Sequence, residues 1–293
     1  MNNNFHFSKL RRIGIAACFA LLTADIFAAD ILFVSDATND SNIPSVLTAD
    51  GHNVTTVLND YIDDTSQDNN VLQGSLASYA CVVWGASGEG YGDDHNATTV
   101  NNLESFVSAG GTVFVTGYDS IASPTDEELI RFVGGTDSND SSGDNITGPV
   151  TGVNILSTGL IDIVGVTPTG GYSDSDALQG LTPSTICVAE RAGSSAGDCA
   201  WSIRTLGNGQ VAYISNGEYI DESNSGNHPS WEDTTVGGDG AYNAAVRNFA
   251  YNCGAPISAD TTPVPTLSAW SIMLLAGLVL LVAGIATRRR SFG

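Results

Sequence analysis

Short apolar runs alternate along the chain with stretches whose apolar residues recur at helical spacing. Residues 30–36 read Asp-Ile-Leu-Phe-Val-Ser-Asp, a continuous apolar core of the kind found in a strand buried on both faces. Residues 53–58, 79–85 and 112–116 predict three more strands. Helical segments are predicted between them. Residues 43–50 form the first, with Pro44 in its opening turn and Gly51 as its stop. Residues 71–78 predict a short helix. Residues 98–109 carry Val100, Leu103, Phe106 and Val107 at helical spacing before Gly110 and Gly111. Residues 126–133 form another, ended by Gly134 and Gly135. This alternation predicts an α/β fold, a mostly parallel sheet with helices on both faces.

The pattern breaks at 136–180, a stretch rich in Gly, Ser, Asp and Asn with one weak apolar run at 155–166. A β-rich or irregular insertion is expected there. Strand-like runs return at 186–189, 200–205 and 210–215, and a closing helix is predicted at 242–251.

Both ends of the chain are read as targeting segments. Lys9, Arg11 and Arg12 precede an apolar stretch at 13–22, and Phe27-Ala28-Ala29 offers small residues for cleavage. A signal peptide over 1–29 follows, with a mature chain starting near Asp30. The apolar stretch before Cys18 is too short for a lipoprotein signal. At the other end, residues 270–287 carry no charge. As a helix they would measure ~27 Å, about one bilayer core. Trp270 suits the outer interface, and Arg288, Arg289 and Arg290 favour the cytoplasmic side. One transmembrane helix is therefore expected after a linker at 258–264, with the body outside the cytoplasm.

Pro265, Thr266, Leu267 and Trp270, followed by that helix and the three terminal arginines, resemble the IPTL-CTERM family of bacterial sorting tails. These are relatives of the PEP-CTERM signals. Val264 stands where the family usually has Ile, Ala269 where an acid is common, and Ser271 where Gly is common. The resemblance implies that residues 265–293 are a tail read by an exosortase-like protease at the inner membrane. It also implies a final place in the cell envelope, on the surface or secreted, with an association to extracellular polysaccharide.

A second resemblance covers the body, 30–257. The run Ala-Gly-Gly-Thr-Val-Phe-Val-Thr-Gly at 109–117, the late Gly-Asn-Gly-Gln-Val-Ala-Tyr-Ile-Ser-Asn-Gly-Glu-Tyr at 207–219 and the closing helix resemble the class I glutamine amidotransferase-like superfamily, a flavodoxin-like fold. That family places a cysteine nucleophile on a tight turn after a parallel strand. Here the turn reads Thr116-Gly117-Tyr118-Asp119-Ser120, and Tyr118 takes the elbow position. A phenol with a pKa of ~10 is a poor nucleophile at neutral pH. The family triad is not carried over, and a binding or structural body without catalytic residues is expected. The competing arrangement is an envelope hydrolase built on Ser120, His228 and Glu232.

Charge narrows the partners. The chain holds 10 basic and 32 acidic residues. Between 30 and 260 only Arg131, Arg191, Arg204 and Arg247 stand against 31 acids, a net charge of −27. Such a surface repels nucleic acid and anionic lipid. Its simplest consequence is solubility, and it also suits divalent cations. Asp137, Asn139, Asp140 and Asp144 cluster around Gly143 and supply hard oxygens for a weak Ca²⁺ candidate, without the closing Glu of an EF-hand. Asp174 and Asp176 are weaker candidates still, and no cofactor is otherwise expected. His52 and His95 are expected at the surface.

The exported cysteines Cys81, Cys187, Cys199 and Cys253 predict disulfides in an oxidising envelope. Four cysteines allow three pairings; Cys187 and Cys199 flank a short turn and form the first expected pair, which would leave Cys81 with Cys253. Finally, the loops after the parallel strands carry or adjoin Trp84, Tyr91, Tyr118, Tyr219 and Trp231. In open α/β sheets that edge binds ligands. Aromatics with Asp and Asn suit a sugar, and equally suit ordinary loop packing.

Overall fold

The computed structural model describes residues 28–35, 42–58, 71–86, 97–116, 121, 126–142, 147–168, 174–192, 197–215 and 240–253. The chain divides into two compact units, Met1–Gly254 and Ala255–Gly293.

The predicted alternation folds as β1 (Asp30–Ser35), α1 (Asn42–Ala49), β2 (Asn53–Leu58), β3 (Cys81–Gly85), α2 (Ala97–Ser108), β4 (Thr112–Thr116) and α3 (Glu127–Val133). The insertion supplies β5 (Asp137–Ser142) and β6 (Asp174–Gln179). Then follow β7 (Thr185–Glu190), β8 (Cys199–Leu206), β9 (Gly209–Ile214) and α4 (Ala241–Tyr251). The helix expected at 71–78 is reduced to one 3-10 turn, Val71–Gln73. Gly74 donates back to the Val71 carbonyl at 3.0 Å, and Asn102 on α2 takes the Leu72 and Gly74 carbonyls at 2.6 and 2.9 Å. A neighbouring side chain therefore occupies carbonyls that a longer helix would need for itself.

Among the described residues nine strands form one sheet in the order β2-β1-β3-β4-β9-β8-β6-β5, with β7 also on β8. β2, β1, β3, β4 and β9 run parallel. The rest is antiparallel, so the sheet is mixed where a mostly parallel one was expected. The reason lies in one turn. Leu206 pairs with Gly209, which leaves a two-residue loop of Gly207 and Asn208 between β8 and β9. So short a loop can join only antiparallel neighbours. Gly207 has φ +60°, and a Cβ there would lie 2.7 Å from the Ser108 backbone, so glycine is required twice over.

Side chains of the parallel strands alternate between two cores. Ile31, Phe33, Val83, Phe114 and Ala212 pack with Ile43 and Leu47 of α1 and Phe249 of α4. Leu32, Val34, Val82, Val113 and Val115 pack with Val100, Leu103 and Val107 of α2 and Leu129, Phe132 and Val133 of α3. Helices thus cover both faces, as expected. Each such buried side chain contributes roughly 1.5–3 kcal/mol relative to exposure.

The described part of the insertion outside its strands, 147–168, is irregular but packed. Leu156 and Ile163 enter the α1/α4 core. Asn252 donates to the Thr158 carbonyl at 3.0 Å, and Asn248 holds the same segment. Both predicted disulfides form. Cys81 at the start of β3 is bonded to Cys253 beyond α4, with Cα atoms 5.8 Å apart. Cys187 on β7 is bonded to Cys199 on β8, with Cα atoms 5.6 Å apart. Among the described residues no helix is long and apolar enough to cross a membrane. Residues 270–287 lie outside them.

Candidate functional site

The carboxyl ends of the parallel strands define the edge where an α/β sheet offers a crevice. Four strands bring Ser35, Ala86, Thr116 and Ser215 there, all buried. Parallel register sets them side by side: Ser35 pairs with Gly85, Gly85 with Thr116, and Thr116 with Ile214. The Thr116 hydroxyl donates to the Ile214 carbonyl at 3.1 Å, and the Ala86 N–H donates to the Thr116 carbonyl at 2.7 Å. Thr116 is therefore spent on holding β4 against β9 and does not point a free hydroxyl outward.

Asp176 on β6 joins this edge. It is 1% exposed, and its carboxylate accepts from the Ile121 N–H at 3.4 Å. Its carbonyl accepts the Tyr213 hydroxyl of β9 at 2.8 Å. A buried carboxylate thus fixes the chain five residues beyond β4. Strand alternation places Asp176 on the face of Leu178, which is a core residue. That periodicity was present in the sequence but was hidden within a polar insertion.

Arg131, Arg204 and Arg247 all bond to groups of the body. Arg247 on α4 gives Nε and Nη2 to the Asp50 carboxylate at 2.6 and 2.7 Å. Those hydrogen bonds push the guanidinium pKa still higher. Arg204 on β8 donates to the Arg131 and Phe132 carbonyls at 2.8 and 3.1 Å, closing the carboxyl end of α3. Arg131 pairs with Glu128 one turn away, and Arg191 is 2% exposed.

His52 corrects its expected surface position. It is 5% exposed, and its Nδ1 accepts the Ala29 N–H at 3.3 Å. Burial lowers its pKa against the raising effect of Asp50. The polar residues around it in sequence gave no sign of this, because its partner Ala29 lies 23 positions earlier in the chain.

Of the expected metal ligands, Asp137, Asn139 and Asp140 fall on described backbone and Asp144 does not. Residues 137–142 are strand β5, within the insertion expected to be β-rich or irregular. The Asp137 carboxylate accepts the Ser138 N–H at 2.9 Å. The Asn139 amide donates to Asp198 at 2.6 Å. Both side chains thus serve the local strand and its neighbour. Among the described residues no three His, Cys, Asp or Glu gather in a metal-binding arrangement. Ser120, His228 and Glu232 lie outside the described residues, as do Val264, Pro265, Thr266, Leu267, Trp270 and Arg288 to Arg290.

Comparison with known proteins bears on the tail. Residues 262–290 match the family model described as the IPTL-CTERM motif. No curated protein matches the chain. Among solved structures, a cytoplasmic protein of Salmonella typhimurium LT2 aligns at 12% identity and TM-score 0.49, over 76% of this chain and 99% of that one. A Thermoplasma acidophilum protein described as one subunit of GMP synthase aligns at 13% and 0.43, over 77% and 94%. A β-galactosidase from Bacillus circulans sp. alkalophilus aligns at 13% and 0.42 over 65% of this chain, which spans only 29% of that enzyme's length. These likenesses carry no functional argument.

Proposed function

We propose that this chain is an exported envelope protein whose C-terminal tail is a processed sorting signal and whose body is a binding or structural domain without catalytic residues. The match of residues 262–290 to the IPTL-CTERM motif carries the reading. The pairing of all four body cysteines agrees with an oxidising destination. In this reading residues 1–29 are a signal peptide, 30–257 the body with its insertion at 136–180, 258–264 a linker, and 265–293 the tail. The tail holds the chain at the inner membrane through a helix at 270–287 until an exosortase-like protease acts at Pro265-Thr266-Leu267. Pro265 disfavours helix at Val264 and keeps the backbone extended for a protease. The product then resides in the envelope, on the surface or outside the cell, where polysaccharide is its proposed partner.

For the body, the order β2-β1-β3-β4 with its reversal between β1 and β3 favours a flavodoxin-like, amidotransferase-like descent. No cofactor is proposed for the body, and Ca²⁺ at Asp137, Asn139, Asp140 and Asp144 stays a weak candidate beside the strand bonds of Asp137 and Asn139.

The deciding experiment is mass spectrometry of the C-terminal peptide of mature protein from native cells. A C-terminus upstream of residue 270 is expected. Replacement of Pro265 and Thr266 by Ala should leave membrane insertion intact and block that maturation. Recovery of an intact Arg290 on the surface-exposed pool would reduce the tail to an anchor.

A further inference from the structure

The burial boundary at the start of the body falls between two alanines. Ala28 is exposed, whereas Ala29 is 8% exposed and belongs to the α1/α4 core. Both main-chain polar groups of Ala29 are used. Its N–H donates to His52 Nδ1 at 3.3 Å, and its carbonyl accepts the Asn53 N–H at 3.0 Å. That second bond precedes the first residue pair of the β1/β2 ladder, Asp30 with Asn53. His52 is itself 5% exposed and has no part in the edge described above.

We infer that export processing cuts the Ala28–Ala29 bond, and that the new α-amino group of Ala29 docks on His52. The inference rests on the exported reading and moves the cut one residue upstream of the start expected from the sequence. In the hydrolysis, water gives its hydroxyl to the Ala28 carbonyl and a proton to the Ala29 nitrogen. The peptide bond becomes a carboxylate on the discarded segment and an ammonium on the body. The ammonium retains an N–H for His52, and its other hydrogens face the side vacated by exposed Ala28. Ala28 is small, as the residue before such a cut must be, and Ile26 stands two positions earlier.

A cut after Ala29 is disfavoured by what it would remove. The core would lose the Ala29 methyl, and the buried His52 acceptor would lose its donor, an expensive state for a polar group away from water. A cut after Ala28 keeps both main-chain bonds of Ala29 in place. Burial also holds the imidazole neutral, which keeps the Nδ1 lone pair available.

The test is the intact mass and N-terminal sequence of the body recovered from the envelope of cells making the full chain. A start at Ala29 is expected, one alanine heavier than a chain from Asp30. A start at Asp30 or Ala28 would overturn the inference and leave export standing. Recovery of Met1 would sink both. Ala28→Glu should abolish this start, since the site before the cut takes small residues. An unchanged mature terminus in that variant would also overturn it. His52→Phe removes the acceptor and keeps a ring. An added aminopeptidase should then release Ala29 roughly fivefold faster, the effect of one lost hydrogen bond. Equal trimming rates in both proteins would remove His52 from the docking.

Discussion

Asn248 reads the peptide group of Ile161 in both directions: its Oδ1 accepts the Ile161 N–H at 2.8 Å and its Nδ2 donates to the Ile161 carbonyl at 2.6 Å. The same amide donates to the Leu156 carbonyl at 2.9 Å, and the side chain is fully buried on α4. Together with Asn252, which donates to the Thr158 carbonyl, it holds a stretch that forms no strand ladder. Asn248→Ala should cost about 3 kcal/mol, since three bonds of ~1 kcal/mol each are lost. Chemical denaturation measures it, and hydrogen exchange should show the loss first at Ile161. Unchanged exchange there would mean that apolar packing alone holds the segment.

Asp50 and Arg247 tie the end of α1 to α4 through two short, roughly parallel bonds. Their side chains are 13% and 18% exposed, so solvent screens the pair only in part. Arg247→Lys keeps the charge but loses the fork, and about 1 kcal/mol of stability should go with it. A double-mutant cycle with Asp50→Asn isolates the coupling. Coupling near zero would make this a solvated pair.

His52 sets a pH dependence. Burial lowers its folded-state pKa below the ordinary value of about 6.5. Above about pH 6.5 the imidazole is neutral in both folded and unfolded chains. As pH falls below that, the unfolded chain takes the proton first, and stability drops until the folded pKa is passed. The melting temperature should therefore fall from about pH 7 to about 5.5 and fall less in His52→Gln. Parallel slopes in the two proteins would assign the effect elsewhere.

The two disulfides should differ in worth. Cys81–Cys253 spans 172 residues and Cys187–Cys199 spans 12. Loop-closure entropy puts them at roughly 5 and roughly 3 kcal/mol. Replacing both cysteines of one pair with Ala, then of the other, and comparing urea midpoints checks the order. A larger loss from the short pair would show that local β7/β8 geometry outweighs chain entropy.

Purified body is expected to turn over neither acyl esters nor glutamine-type amides, because the elbow position holds Tyr118. Robust hydrolysis that disappears in Ser120→Ala or His228→Ala would establish the hydrolase reading in its place.

The sequence by itself determined the strands and helices of the parallel half, because apolar runs and helical spacing are local signals and glycines mark their ends. Val113 to Val115 could only be a doubly buried strand, and Val100, Leu103 and Val107 only one face of a helix. It also determined the sorting motif, which is read from adjacent residues. Disulfide pairing was legible because Cys187 and Cys199 lie 12 residues apart and left one partner each for Cys81 and Cys253. Tertiary structure alone decided the burial of His52 and Asp176, the reach of Asn248 to Ile161, and the consumption of Arg204 and Arg247. Each of these joins residues far apart in the chain: 23 positions separate Ala29 from His52, and 197 separate Asp50 from Arg247. A polar side chain carries no mark of whether water or a distant peptide group will satisfy it. Only the packing of the sheet against the helices on its two faces removes the water and makes those partners necessary.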